Sequence, residues 1–234
     1  MREYDPNQVL LGLHIPKCAG SSLQMVIRSW FGSRVHWHYF DQPHNQPPKL
    51  YRQPIFGALL RRFLGREVCI FGHFNRARGF GIEDYYPNAE QFFTIVREPL
   101  AVMLSRYFFA KQLGIHRLRE GVSAPIAAKY PTLNDFAAAQ LDQPYFINYL
   151  PGPMTLDNYR EILAARFVYV GVAEDLQTSV DRLAARLGFQ PIQVPHIKSS
   201  NHDETLDPAL AEAYIQSRTL EYAIYRYALE HYRD

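Results

Sequence analysis

The segment PKCAGSS, residues 16–22, sets a cation (Lys17), a glycine (Gly20) and two hydroxyls (Ser21 and Ser22) directly after the apolar run VLLGLHI. Behind it, apolar residues recur at Leu23, Val26, Ile27, Trp30 and Phe31. That is the i, i+3, i+4, i+7, i+8 spacing of one buried helical face. A buried strand, a short loop and a helix in this order offer an anion unpaired backbone N–H groups and the positive end of a helix dipole. Lys17 adds a full charge, so the loop Lys17, Cys18, Ala19, Gly20, Ser21 and Ser22 reads as a cradle for a phosphate-type group. The competing reading is an ordinary βα turn with a surface lysine. The loop is not GxxxxGK[ST], in which lysine follows the second glycine, because Lys17 precedes Gly20. It also lacks GxGxxG, which disfavours a dinucleotide site.

A second group lies in IVREPLAVMLSRYFF, residues 95–109. Arg97 ends an apolar run and Ser105 sits two turns into the helical pattern that follows. A guanidinium and a hydroxyl at the sheet edge suit a second phosphate group, unless Arg97 pairs with Glu98. Arg106 is expected on a solvated or acceptor-facing side. A third candidate is His73 in FGHFNRARGF, residues 71–80, again directly after an apolar run. Imidazole, with a reference pKa of about 6.5, can accept a proton near neutral pH. The bland reading is a hydrogen-bonded structural histidine, and the neighbouring anion sites favour the chemical one. Arg76 and Arg78 follow, and with Lys111, Arg117 and Arg119 they form a set of cations for an anionic acceptor or for plain surface charge.

In PHIKSSNHDETLDP, residues 195–208, Lys198 and Ser199 could close over a nucleotide, or simply belong to a polar connection. No metal site is expected. His36 and His38 share a strand face and His44 is near in sequence, but no third ligand is evident, and His196 and His202 lack a metal spacing.

These residues need elements to position them. Apolar runs at 9–15, 35–40, 68–72, 91–96 and 167–172 read as five strands of a parallel sheet covered on both faces. Helical stripes lie between them, one opening at Pro99 and one closing at Gly188, and a last helix is expected over 208–232. Strands alternating with helices mean an open α/β sheet. Residues 41–65 read as a proline-rich loop with a short helix at 55–63, and 114–153 as helix in broken pieces. Ligands bind beyond the carboxyl ends of the strands in such sheets, where Lys17, His73 and Arg97 fall.

Length and composition agree. The 234 residues are 47% hydrophobic, enough for one domain with a substantial core. A net charge of +2 gives no reason to expect a nucleic-acid partner. Two cysteines make no disulfide framework. The apolar run 9–15 is shorter than a membrane span and has no signal-peptide layout. The expectation is a cytoplasmic protein; oligomeric state is left open.

HIPKCAGSSL, then FGHF, then IVREPLAVMLSRY together resemble the sulfotransferases that use 3′-phosphoadenosine 5′-phosphosulfate (PAPS). The resemblance is to the carbohydrate branch that includes heparan and uronosyl 2-O-sulfotransferases. FVYVGVAEDLQTSVDRL and PHIKSS resemble that family's late strand, helix and nucleotide-covering loop, so the likeness spans most of residues 9–232. It implies a single domain over 1–234 with a P-loop-like sulfotransferase fold, in which an open parallel sheet is flanked by helices. It also implies PAPS as donor without a metal, and a hydroxyl acceptor, a sugar or glycan. By the same resemblance Lys17, Gly20, Ser21 and Ser22 would hold the 5′-phosphosulfate, and Arg97 and Ser105 the 3′-phosphate. Lys198 and Ser199 would cover the nucleotide, while Lys17 and His73 would be catalytic. Cys18 departs from the family's usual threonine, and Phe71 from a second histidine in the animal 2-O enzymes. Two rivals are carried. A nucleotide kinase would need a Mg²⁺-binding acid such as Glu174 or Asp175. A non-catalytic module would bind PAPS, its product 3′-phosphoadenosine 5′-phosphate, or a sulfated glycan.

Overall fold

The structure, a computed structural model, describes residues 1–41, 44, 46–52, 67–119, 129–194 and 204–234, the side chains of 113–119 excepted. Five parallel strands form one sheet: β1 (Leu10–Leu13), β2 (Val35–His38), β3 (Cys69–Gly72), β4 (Phe92–Val96) and β5 (Phe167–Val172). Their order is β2-β3-β1-β4-β5. All five expected runs are strands. The helices are α1 (Gly20–Phe31), α2 (Ile82–Tyr85), α3 (Pro99–Arg119), α4 (Leu133–Gln140), α5 (Tyr159–Arg166), α6 (Leu176–Leu187), α7 (Pro208–Ser217) and α8 (Thr219–His231). Among the described residues, none is long and apolar enough to cross a membrane. The helix expected at 55–63 lies outside the described residues.

Strands β1, β3, β4 and β5 are buried along their whole length, because helices cover both faces. Gly12 allows the central packing. A Cβ there would fall 2.4 Å from the rings of both Phe71 and Phe93, which stack with centroids 6.0 Å apart. Strand β1 sits between β3 and β4, so the chain reverses its winding direction about it. This is the switch point at which open α/β sheets leave a crevice beyond the strand ends. Thr94 pins that edge by donating from Oγ1 to the Leu13 carbonyl at 2.8 Å.

Helix α3 runs from Pro99 to Arg119, into the segment read as broken helix. One helical expectation is corrected. The last helix is not continuous over 208–232, since Arg218 (φ −112°, ψ 34°) divides α7 from α8. Its guanidinium turns inward, 3% exposed, and donates to the carbonyls of Leu141 and Gln143, each at 2.8 Å, and to that of Gln140. Cationic hydrogen bonds to the carbonyls at the end of α4 compensate for the broken helix. Buried Glu221 completes the arrangement, 3.7 Å from Arg218.

Candidate functional site

The loop after β1 is built for an anion in its backbone. Lys17 (φ 71°) and Ala19 (φ 59°) both adopt the left-handed conformation. It costs a non-glycine residue about 1–3 kcal/mol and recurs at ligand clamps. Such residues turn backbone N–H groups toward one concavity. Helix α1 then starts at Gly20 with no side-chain cap and no acidic residue in its first turn. Its first intrahelical bond runs from the Leu23 N–H to the Ala19 carbonyl. The N–H groups of Gly20, Ser21 and Ser22 precede that bond and have no helical acceptor. Ser22 is fully buried and its Oγ has no partner among the described residues. A buried unpaired hydroxyl costs about 1–3 kcal/mol, which a bound oxyanion would relieve. Ser21 is exposed at the rim. Cys18 contributes differently. Its N–H donates to the Ile15 carbonyl at 3.2 Å, and burial pushes the pKa of its thiol up.

Two cations meet at this loop. Arg97, at the end of β4, donates from Nη1 to the Lys17 carbonyl at 3.4 Å. The Lys17 ammonium lies 3.8 Å from the centroid of Phe109 on α3. Burial and then the Arg97 charge hold its pKa below the usual value. Among the described residues neither cation has a carboxylate partner. Arg97 does not pair with Glu98, whose carboxylate accepts from the Ala101 N–H at 2.5 Å and from the Tyr222 hydroxyl. Ser105 lies further along α3, partly buried. Lys198 and Ser199 lie outside the described residues.

His73 follows β3, which pairs with β1 so that Gly72 stands beside Leu13. Its Nδ1 lies 2.7 Å from the His14 carbonyl. A carbonyl only accepts, so Nδ1 carries the hydrogen and Nε2 presents a lone pair. Burial, foremost, lowers its pKa; the hydrogen bond to His14 acts upward and the Arg78 charge downward. The ring is therefore neutral at neutral pH, as a general base must be. Lys17, His73 and Arg97 thus come from the carboxyl ends of three adjacent strands, β1, β3 and β4.

Sequence reasoning missed His14 and Tyr39. The His14 ring stands 4.2 Å from that of His73, and Tyr39 meets both imidazoles. The rule that singled out His73, a polar residue directly beyond a buried strand, applies to His14 equally. A groove of about 350 Å³ continues from there along α1 and β2, lined by Ser21, Gln24, Met25, Arg28, Trp37 and Tyr39.

Several other cations have structural work. Arg76 donates to the Ile147 carbonyl at 3.0 Å and fills the space beside Gly152. Lys111 pairs with Glu204. Arg106 is partly buried, its guanidinium 3.6 Å from the Tyr145 ring centroid. Arg78 is exposed over the Phe40 and Phe80 rings, and the side chains of Arg117 and Arg119 lie outside the described residues. His38 stacks on Phe74 and His36 on Tyr51, each as a packing residue. Glu174 accepts the Glu98 N–H at 2.9 Å, and Asp175 the Tyr232 hydroxyl at 3.1 Å.

No family model matches the chain, and no curated protein matches it. Among solved structures it is similar to mouse sulfotransferase SULT7A1 complexed with PAP. That likeness covers 94% of this chain and 67% of that one, at 13% identity and a TM-score of 0.46.

Proposed function

We propose that the chain is a PAPS-dependent sulfotransferase acting on a hydroxyl, with a sugar or glycan as acceptor. One observation carries the reading: Arg97 meets the uncapped, left-handed loop of Lys17, and among the described residues neither cation has a carboxylate partner. Two cations so placed repel each other, and an anion bound at the loop would offset that repulsion. A nucleotide with phosphates at both ends suits two cations better than a single phosphate does.

PAPS supplies the sulfuryl group. In this reading Lys17, the N–H groups opening α1 and the Ser22 hydroxyl stabilise the charge that grows on the departing 5′-phosphate. Arg97 holds the 3′-phosphate, with Ser105 as its helper, and Lys198 and Ser199 belong to the covering segment. His73 Nε2 takes the acceptor's hydroxyl proton as the acceptor oxygen bonds to sulfur and the bond from sulfur to the phosphate oxygen breaks. The groove beside Tyr39 supports a sugar acceptor. Trp37 and Tyr39 provide aromatic faces, and Arg28, 5.6 Å from the Trp37 ring centroid, provides charge for an acidic substituent.

Incubation with radiolabelled PAPS and a panel of neutral and acidic oligosaccharides tests the reading. Label transferred to a sugar, and lost with Lys17→Ala, is expected. Nucleotide binding with no transfer to any hydroxyl acceptor would leave a binding module instead.

A further inference from the structure

The His14 side chain has no part in the chemistry above, yet it occupies the start of α1. A Cβ on Gly20 would fall 1.5 Å from His14 Nε2, so the imidazole stands where a side chain of the first helical residue would otherwise be. Its opposite edge is fixed by the Tyr39 hydroxyl, 2.9 Å from Nδ1. One face stacks on Phe71, with centroids 5.6 Å apart. With the Tyr39 hydroxyl donating to Nδ1, the neutral ring carries its hydrogen on Nε2. Among the described residues that Nε2 has no partner.

Beside it, His73 is held in the opposite tautomer by the His14 carbonyl. Burial lowers both imidazole pKa values, that of His14 to about 3, so neither ring is charged at neutral pH. Two neutral imidazoles, tilted 32° to each other, therefore present different groups, an N–H from His14 and a lone pair from His73. The fully buried Ser22 hydroxyl, without a partner among the described residues, is an independent observation at the same helix start.

We propose that His14 is an anion-binding residue, whose Nε2–H donates to an oxygen of the sulfuryl or phosphoryl group seated at the start of α1. The identity of that anion rests on the sulfotransferase reading; the tautomer does not. A lone pair at this position would repel the same oxygen, so the Tyr39 hydroxyl acts as a positioning residue that fixes which nitrogen carries the proton.

Long-range ¹H–¹⁵N correlation spectra of the full chain at neutral pH read both tautomers directly. Hydrogen on Nε2 of His14 and on Nδ1 of His73 is expected, and hydrogen on Nδ1 of His14 overturns the proposal. Calorimetry with adenosine 3′,5′-bisphosphate then compares two variants. His14→Asn keeps an acceptor for Tyr39 but has nothing at the Nε2 position, and is expected to bind about ten-fold or more weakly. His14→Gln, whose amide reaches the Nε2 position, is expected to retain more affinity. Wild-type affinity in His14→Asn, or a weaker His14→Gln, overturns the proposal. A wild-type chain that binds no nucleotide contradicts the sulfotransferase reading alone. Inorganic sulfate is then the probe, with the same order of variants expected and unchanged affinity in His14→Asn again overturning the role.

Discussion

The guanidinium of Arg97 donates to the backbone carbonyl of Lys17, 3.4 Å away, from the end of β4 to the loop that follows β1. The bond ties together two neighbouring strand ends and sets two unneutralised cations in one crevice. Without it, the loop would be an isolated turn and Arg97 an isolated edge residue.

Lys17→Ala is expected to lower turnover by about 10²–10³-fold, the usual loss when one donor to a developing oxyanion is removed. The side chain is only partly buried, so the thermal midpoint should move little. Near-normal turnover in the radiolabel assay would remove Lys17 from the chemistry.

His73→Ala is expected to cost about 10²–10⁴-fold. In the wild-type enzyme the base works only when neutral. Because burial lowers its pKa, activity should hold through pH 6.5 and fall only at more acidic pH. A pH–rate profile whose acid limb starts above pH 7 would contradict this placement of the proton.

The buried His38 predicts a stability effect separate from catalysis. It is 1% exposed, neither ring nitrogen has a partner among the described residues, and burial lowers its pKa to about 4. The unfolded chain therefore binds this proton first as pH drops. Stability is full above pH 6.5 and is lost between there and about pH 4, at about 1.4 kcal/mol per pH unit. His14, lowered to about 3, continues the trend. Urea unfolding at pH 7.5, 6.5 and 5.5 should show falling midpoints, and His38→Phe, which keeps the stack on Phe74, should flatten the decline. An unchanged slope in His38→Phe would assign the acid sensitivity to other groups.

Arg218→Leu tests the break between α7 and α8. It leaves Glu221 and the carbonyls after α4 buried without their cation, for which a loss of about 3–5 kcal/mol is expected in chemical denaturation. A loss below about 1 kcal/mol would mean that water replaces the guanidinium.

Much of this arrangement was legible because buried parallel strands leave uninterrupted apolar runs, and the first polar residue after such a run must stand at the sheet edge. His73 and Arg97 are legible that way, and Lys17 from the loop between a buried strand and an amphipathic helix; all three stand at adjacent strand ends. The left-handed backbone at Lys17 and Ala19 was not legible, since neither residue type favours it. Arg218 was hidden because the apolar spacing continues across it while its cation bonds carbonyls distant in sequence. Arg76 and Lys111 read as free charge for the same reason, their partners being Ile147 and Glu204. His14 stands directly beyond β1, as His73 does beyond β3, but in the sequence the apolar run 9–15 carries on past it.

The central claim is that Lys17 and Arg97 grip the two ends of one doubly phosphorylated adenosine. Calorimetry with adenosine 5′-phosphate and adenosine 3′,5′-bisphosphate, on the wild-type chain and on Arg97→Ala, tests it most directly. The account predicts about ten-fold or greater preference for the bisphosphate, abolished in Arg97→Ala. Equal affinity of the wild-type chain for the two nucleotides would contradict it.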